Sequence, residues 1–143
     1  MRYNQLIPLI EYHKPRTIVE VGTWNGFRAI MMATEALKHH DEIEYYGFDL
    51  FEDATDETDE KELNVKKHYA LADVESRLED FQKKNPGFKF CLVKGDTRET
   101  LKKDDWRGDF AFIDGGHSIE TIENDYEALK NSKIVVLDDF YKD

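Results

Sequence analysis

The 143-residue chain has a single cysteine, Cys91. That excludes an internal disulfide and any cysteine-ligated zinc centre. Lying inside the apolar run FKFCLV (residues 88–93), Cys91 reads as an inert core residue. Proline is scarce, with three in the chain, so neither a proline-rich linker nor a low-complexity segment is present. No apolar run approaches the ~18 residues of a membrane span, and the N-terminus lacks the apolar stretch of a secretory leader. No membrane partner is expected, and a cytoplasmic location is the default reading. Basic residues are also few: 20 Lys and Arg face 31 Asp and Glu, for a formal charge of −11. A binder of nucleic acid needs a basic stripe against the phosphates, so that class is excluded.

Forty per cent of the residues are hydrophobic, nine of them Phe, enough for one globular domain over residues 1–143. Apolar periodicity predicts helices over residues 4–13, 27–38, 65–84 and 97–102. A further helix runs to residue 130 from an N-cap at Ser118, with Ile119, Ile122, Tyr126 and Leu129 as its seam. Short β-branched or aromatic runs predict strands over residues 17–21, 43–48, 88–93, 110–113 and 134–137. Five strands alternating with helices make a doubly wound, Rossmann-like α/β sheet, mostly parallel. Residues 52–62 hold seven acids and one lysine. That stretch reads as a solvated, mobile loop; a metal-binding loop is the sharper reading, but the glycine and regular alternation of a calcium loop are missing.

The centre of the pattern is TIVEVGTWNG, residues 17–26. A buried strand runs into a glycine turn and then a helix, which places bare N–H groups beside a ligand. The spacing Glu20-x-Gly22-x-x-x-Gly26 fits neither the Gly-x-Gly-x-x-Gly of a dinucleotide loop nor an NTPase loop. Ligands of such sheets bind outside the carboxyl ends of the strands. There each strand delivers an acid: Glu20, Asp49, Asp96, Asp114, and Asp138 with Asp139. Carboxylates converging on one rim repel unless cations or hydroxyl donors separate them.

In order, VEVGTWNG, GFDL, GDT, FIDGGHS and VLDD resemble the class I S-adenosylmethionine-dependent methyltransferases, and more narrowly the metal-dependent O-methyltransferases of macrolide-sugar and catechol type. The resemblance covers about residues 15–140. It implies strand order 3-2-1-4-5. It implies that Glu20 and the turn Gly22, Thr23, Trp24, Asn25 and Gly26 hold the methionine part of the cofactor. Asp49, with Leu50 beside it, takes the ribose hydroxyls, and Asp96 with Thr97 lies near the adenine. Asp114, Asp138 and Asp139 bind a divalent metal, Mg²⁺ first among the candidates. His117 is the general base, with Asp114 beside it at the reacting centre. The implied substrate is a small hydroxylated acceptor such as a sugar.

Alternatives stay open at several positions. His117 also reads as a helix-start residue bonding backbone, and Asp138 and Asp139 as the start of a surface turn. Trp24 and Trp106 read as packing anchors or as adenine-stacking rings. The family sheet continues past strand five into two further strands, and this sequence stops at Asp143. Strand five is then an open edge, which a homodimer would cover. The competing function is a shortened, non-catalytic module that binds S-adenosylmethionine.

Overall fold

The computed structural model describes residues 2–102, 106 and 108–138. The strands are β1 (Thr17–Val21), β2 (Ile43–Asp49), β3 (Phe88–Lys94), β4 (Phe110–Ile113) and β5 (Ile134–Leu137). The helices are α1 (Leu6–His13), α2 (Phe27–Ala36), α3 (Asp56–Glu62), α4 (Leu71–Lys84), α5 (Thr97–Thr100) and α6 (Ile119–Leu129). The sheet order is β3-β2-β1-β4-β5, and each pairing is parallel. This is the order that the family resemblance implies. No helix among the described residues is long and apolar enough to cross a membrane.

The pleat sends alternate residues to opposite faces. Ile18, Tyr45, Phe110 and Phe112 pack with Ala29, Met32, Val74 and Leu78 under α1, α2 and α4. Val19, Val21, Phe48, Ala111 and Ile113 pack with Leu101, Ala128 and Leu129 under α6. Glu20 shares the face of Ile18, so a carboxylate near the carboxyl end of the middle strand points at α2 and is fully buried.

Four expectations are corrected. The acidic stretch over residues 52–62 is not a loop. Phe51–Asp53 forms a 3₁₀ turn and α3 follows, started by a reciprocal Thr55–Thr58 capping box. The helix expected from residue 65 begins at Leu71. Leu63 closes α3 in the left-handed region (φ +55°), and Glu52 accepts the Leu71 N–H at 2.8 Å. Cys91 is exposed: β3 is an edge strand, and the pleat turns Lys89 and Cys91 outward while Phe88 packs inward.

The seam of α6 is also rotated. Thr121, Asp125, Ala128 and Leu129 face inward, while Ile119, Ile122 and Tyr126 are exposed. Polar anchors fix that rotation: Thr121 donates to Glu62 at 2.8 Å, and the Asn124 amide donates to the Thr97 carbonyl at 3.1 Å. Trp106 behaves as a packing anchor, with its ring 4.8 Å from that of Tyr46 and 5.3 Å from that of Phe48.

Candidate active site

The turn after β1 is forced by a close approach. Gly22 has φ +89°, and a side chain there would run into the Asp114 carbonyl at the end of β4. Gly26, at φ +83°, caps the start of α2. Between them Thr23 is buried, Trp24 sits at φ +53°, and Asn25 accepts the Phe27 N–H at 3.1 Å.

Outside the strand ends lies a cavity of about 150 Å³. Its wall includes Gly22 and Trp24 from the glycine turn, Asp49 and Leu50 after β2, and Asp96 and Thr97 after β3. Asp114 and His117 after β4 complete that half of the wall. Four separate stretches of sequence thus open on one cavity. Glu20, Thr23, Asn25, Gly26 and Asp138 are not on its wall, and Asp139 lies outside the described residues.

Each wall carboxylate is positioned by donors. Asp49 accepts the Trp24 N–H and the Phe51 N–H, both at 2.9 Å, which ties the end of β2 to the glycine turn. Asp96 caps α5 through the Arg98 N–H and takes the Arg98 guanidinium at 2.6 Å. Those Arg98 bonds hold its carboxyl below the usual range. Over the cavity, α3 is fastened by Glu62, which accepts from Ser118 N (2.9 Å), Ser118 Oγ (3.0 Å) and Thr121 Oγ1 (2.8 Å). The Glu62 carbonyl also takes the His117 N–H at 3.2 Å, so the helix over the cavity and the turn that carries His117 are joined.

From Arg28 and Asp114 on the wall a buried charge network runs inward to Glu20 and Tyr45. Arg28 Nε donates to Glu20 Oε2 at 2.9 Å, Nη1 to Asp114 Oδ2 at 2.5 Å, and Nη2 to the Gly22 carbonyl. The Tyr45 hydroxyl donates to Glu20 Oε1 at 2.5 Å, and the Tyr3 hydroxyl to Asp114 Oδ2 at 3.0 Å. Burial pushes Glu20 up to about 7 against the opposing pull of Arg28 and Tyr45. Burial also raises Asp114, and the Asp138 carboxyl, in hydrogen-bond contact with it, adds to the rise against Arg28. Burial works against the charge of Arg28, but Glu20 and Asp114 outweigh it and hold its pKa above the ordinary value.

A family model described as a methyltransferase domain matches residues 19–140. The chain belongs to this methyltransferase-domain family. Solved structures that share its fold include two methyltransferases. One is the Podospora anserina methyltransferase PaMTH1 bound to S-adenosylhomocysteine (TM-score 0.57, 22% identity). The match covers 96% of this chain and 51% of that one. The other is the O-methyltransferase TomG of Streptomyces achromogenes, involved in tomaymycin synthesis, in complex with S-adenosylmethionine (TM-score 0.50, 16% identity). There 80% of this chain and 43% of that one are covered. The methyltransferase domain thus spans about half the length of these relatives. No curated protein matches.

Sequence reasoning missed the donors to the acids, Arg28, Tyr45 and Tyr3, and it missed Glu62, which fastens α3 to the start of α6. A signal existed for Arg28. A glutamate inside a buried strand needs a cation, and the helix that follows the glycine turn supplies the nearest one.

Proposed function

We propose that this domain is an S-adenosylmethionine-dependent O-methyltransferase acting on a hydroxyl of a small acceptor, assisted by a divalent metal. The observation that carries the reading is the single cavity on which the glycine turn and the ends of β2, β3 and β4 all open. In such a site Asp49 faces the ribose; each of its oxygens accepts one backbone N–H and keeps a lone pair for a hydroxyl. Asp96 and Thr97 stand at the adenine end, and the turn from Gly22 to Gly26 holds the methionine part. Glu20 acts from behind, through Arg28 and the Gly22 carbonyl.

Methyl transfer is a displacement. An acceptor oxygen lone pair forms the new O–C bond, the S–C pair stays on sulfur, and the sulfonium becomes a thioether. His117, on the cavity wall, takes the hydroxyl proton.

For the metal, Asp114 and Asp138 offer two carboxyls in mutual contact, an arrangement that holds either a shared proton or a cation. The donors are all oxygen, which suits Mg²⁺. Asp139 would be the third ligand. Among the described residues no cluster of three or more acids, histidines or cysteines is assembled for a metal. When bound, such an ion lowers the pKa of a coordinated hydroxyl.

Calorimetric titration of S-adenosylhomocysteine, with and without Mg²⁺, tests the reading. Micromolar binding is expected, weakened at least tenfold in Asp49→Ala, together with a separate Mg²⁺ heat that disappears in Asp138→Ala. No binding of the nucleoside would overturn the cofactor site. Methyl transfer that persists undiminished in EDTA would overturn the metal.

A further inference from the structure

The cavity wall is not as acidic as the chain. Its carboxylates are engaged by protein donors, and Arg28 and Arg98 are taken up by Glu20, Asp114, Asp96 and Glu120. The wall's three lysines have no such short carboxylate partner among the described residues: Lys61 is 3.7 Å from Glu120, and Lys66 and Lys67 are held by aromatic rings instead. The Lys66 ammonium hydrogen-bonds the Tyr3 hydroxyl at 3.0 Å and lies 3.9 Å from Asp114. It stands 5.6 Å from the Tyr3 ring centre and 5.7 Å from that of Trp24. The Lys67 ammonium has the Tyr69 ring at 5.7 Å. Aromatic faces hold an ammonium in place without neutralising it.

These lysines sit in the irregular segment between α3 and α4, yet their backbone is fixed. The Trp24 indole N–H donates to the Lys67 carbonyl at 2.8 Å, and the Lys66 N–H bonds Asn64 Oδ1 at 3.0 Å. Trp24 belongs to the glycine turn itself. Its indole therefore ties the backbone of the lysine segment to the glycine turn, and Lys66 carries its ammonium to within 3.9 Å of Asp114.

We propose that Lys66 and Lys67, positioned by Trp24, form a carboxylate-binding subsite beside the glycine turn. The chemistry is that of an ammonium pair on a carboxylate. Two bound molecules could supply that group: the methionine end of the cofactor, or an acid on the acceptor. The inference rests on the cofactor reading above and assigns it residues that the sequence motifs do not contain. Trp24 is a positioning residue here, because it acts through the lysine segment.

The test uses two nucleosides that differ in the methionine tail. S-adenosylhomocysteine carries the carboxylate and 5′-methylthioadenosine lacks it. Each is titrated calorimetrically into the wild type, Lys66→Met/Lys67→Met and Trp24→Phe. In a second arm, protein saturated with S-adenosylhomocysteine is titrated with 3,4-dihydroxybenzoate and with catechol.

A loss of about tenfold in S-adenosylhomocysteine affinity, with methylthioadenosine unchanged, supports the subsite and assigns it to the cofactor. A loss confined to dihydroxybenzoate supports it and assigns it to the acceptor. Trp24→Phe keeps an aromatic face and removes the indole N–H, and it should reproduce the selectivity in weaker form. Unchanged preferences in both arms overturn the subsite, as does an equal loss for both nucleosides, which would mark simple damage to the fold. A wild type that binds neither nucleoside overturns the cofactor reading and the subsite together.

Discussion

Replacing Arg28 with methionine removes the one cation among the described residues that faces both Glu20 and Asp114. The side chain is almost fully buried, and so are both carboxylates. Methionine fills much of the space, so the dominant loss is electrostatic. Removing one partner of a buried ion pair costs about 3–5 kcal/mol, because the remaining charge has neither water nor partner.

The loss also depends on pH, and its sign follows from burial. Glu20 titrates at about 7 in the folded protein against 4.5 in the unfolded chain. A raised folded pKa means that its stability contribution is full at low pH and is lost as pH rises through the folded value. Without Arg28 the folded pKa climbs further, and Asp114 shifts the same way. Arg28→Met should therefore lose more stability at pH 8 than at pH 6, by roughly 1 kcal/mol, given about 1.4 kcal/mol per pKa unit.

Urea unfolding followed by circular dichroism at the two pH values measures both quantities. The double variant Glu20→Gln/Arg28→Met should recover part of the loss, since it removes the more deeply buried of the two carboxylates left without their cation. A single variant within 1 kcal/mol of the wild type at pH 8, or a double variant no better than the single one, would refute the reasoning.

Two further outcomes are expected. Gly22→Ala adds a Cβ at φ +89° against the Asp114 carbonyl; urea unfolding should show a loss of at least about 2 kcal/mol, with weakened S-adenosylhomocysteine binding, and an unchanged midpoint would contradict the close approach. Cys91, exposed on the edge strand, should react with a thiol reagent in the native protein to one equivalent per chain, whereas a buried thiol would react only after denaturant is added.

The strands were legible because a buried parallel strand needs a short apolar run and little else. Residues 17–21, 110–113 and 134–137 coincide with β1, β4 and β5. The direction and order of the sheet followed from alternation with helices and from the family motifs. The helix seams were less legible. Periodicity places Ile119, Ile122 and Tyr126 on one stripe of α6, but it does not know which stripe turns inward. Glu62, reaching from α3 to Ser118 and Thr121, decides that, and it lies 56 residues before Ser118. The acidic stretch failed for a related reason: a run of charge looks solvated until one of its members has a distant partner.

By itself the sequence determined the five strands, the glycine turn after the first, and the set of acids at the strand ends, because local propensity and turn chemistry suffice for those. Only the tertiary structure decided what each acid does. Glu20 is one residue short of the end of β1 and Asp49 is the last residue of β2, and as letters both are simply acids near a strand end. The pleat puts both on the face that carries Ile18 and Tyr45, but Glu20 lies inside the sheet, bonded to Arg28 and with its pKa raised by burial, whereas Asp49 ends its strand on the cavity wall and holds two backbone N–H groups. Charge compensation acts through space between residues far apart in the chain, and no local pattern encodes it.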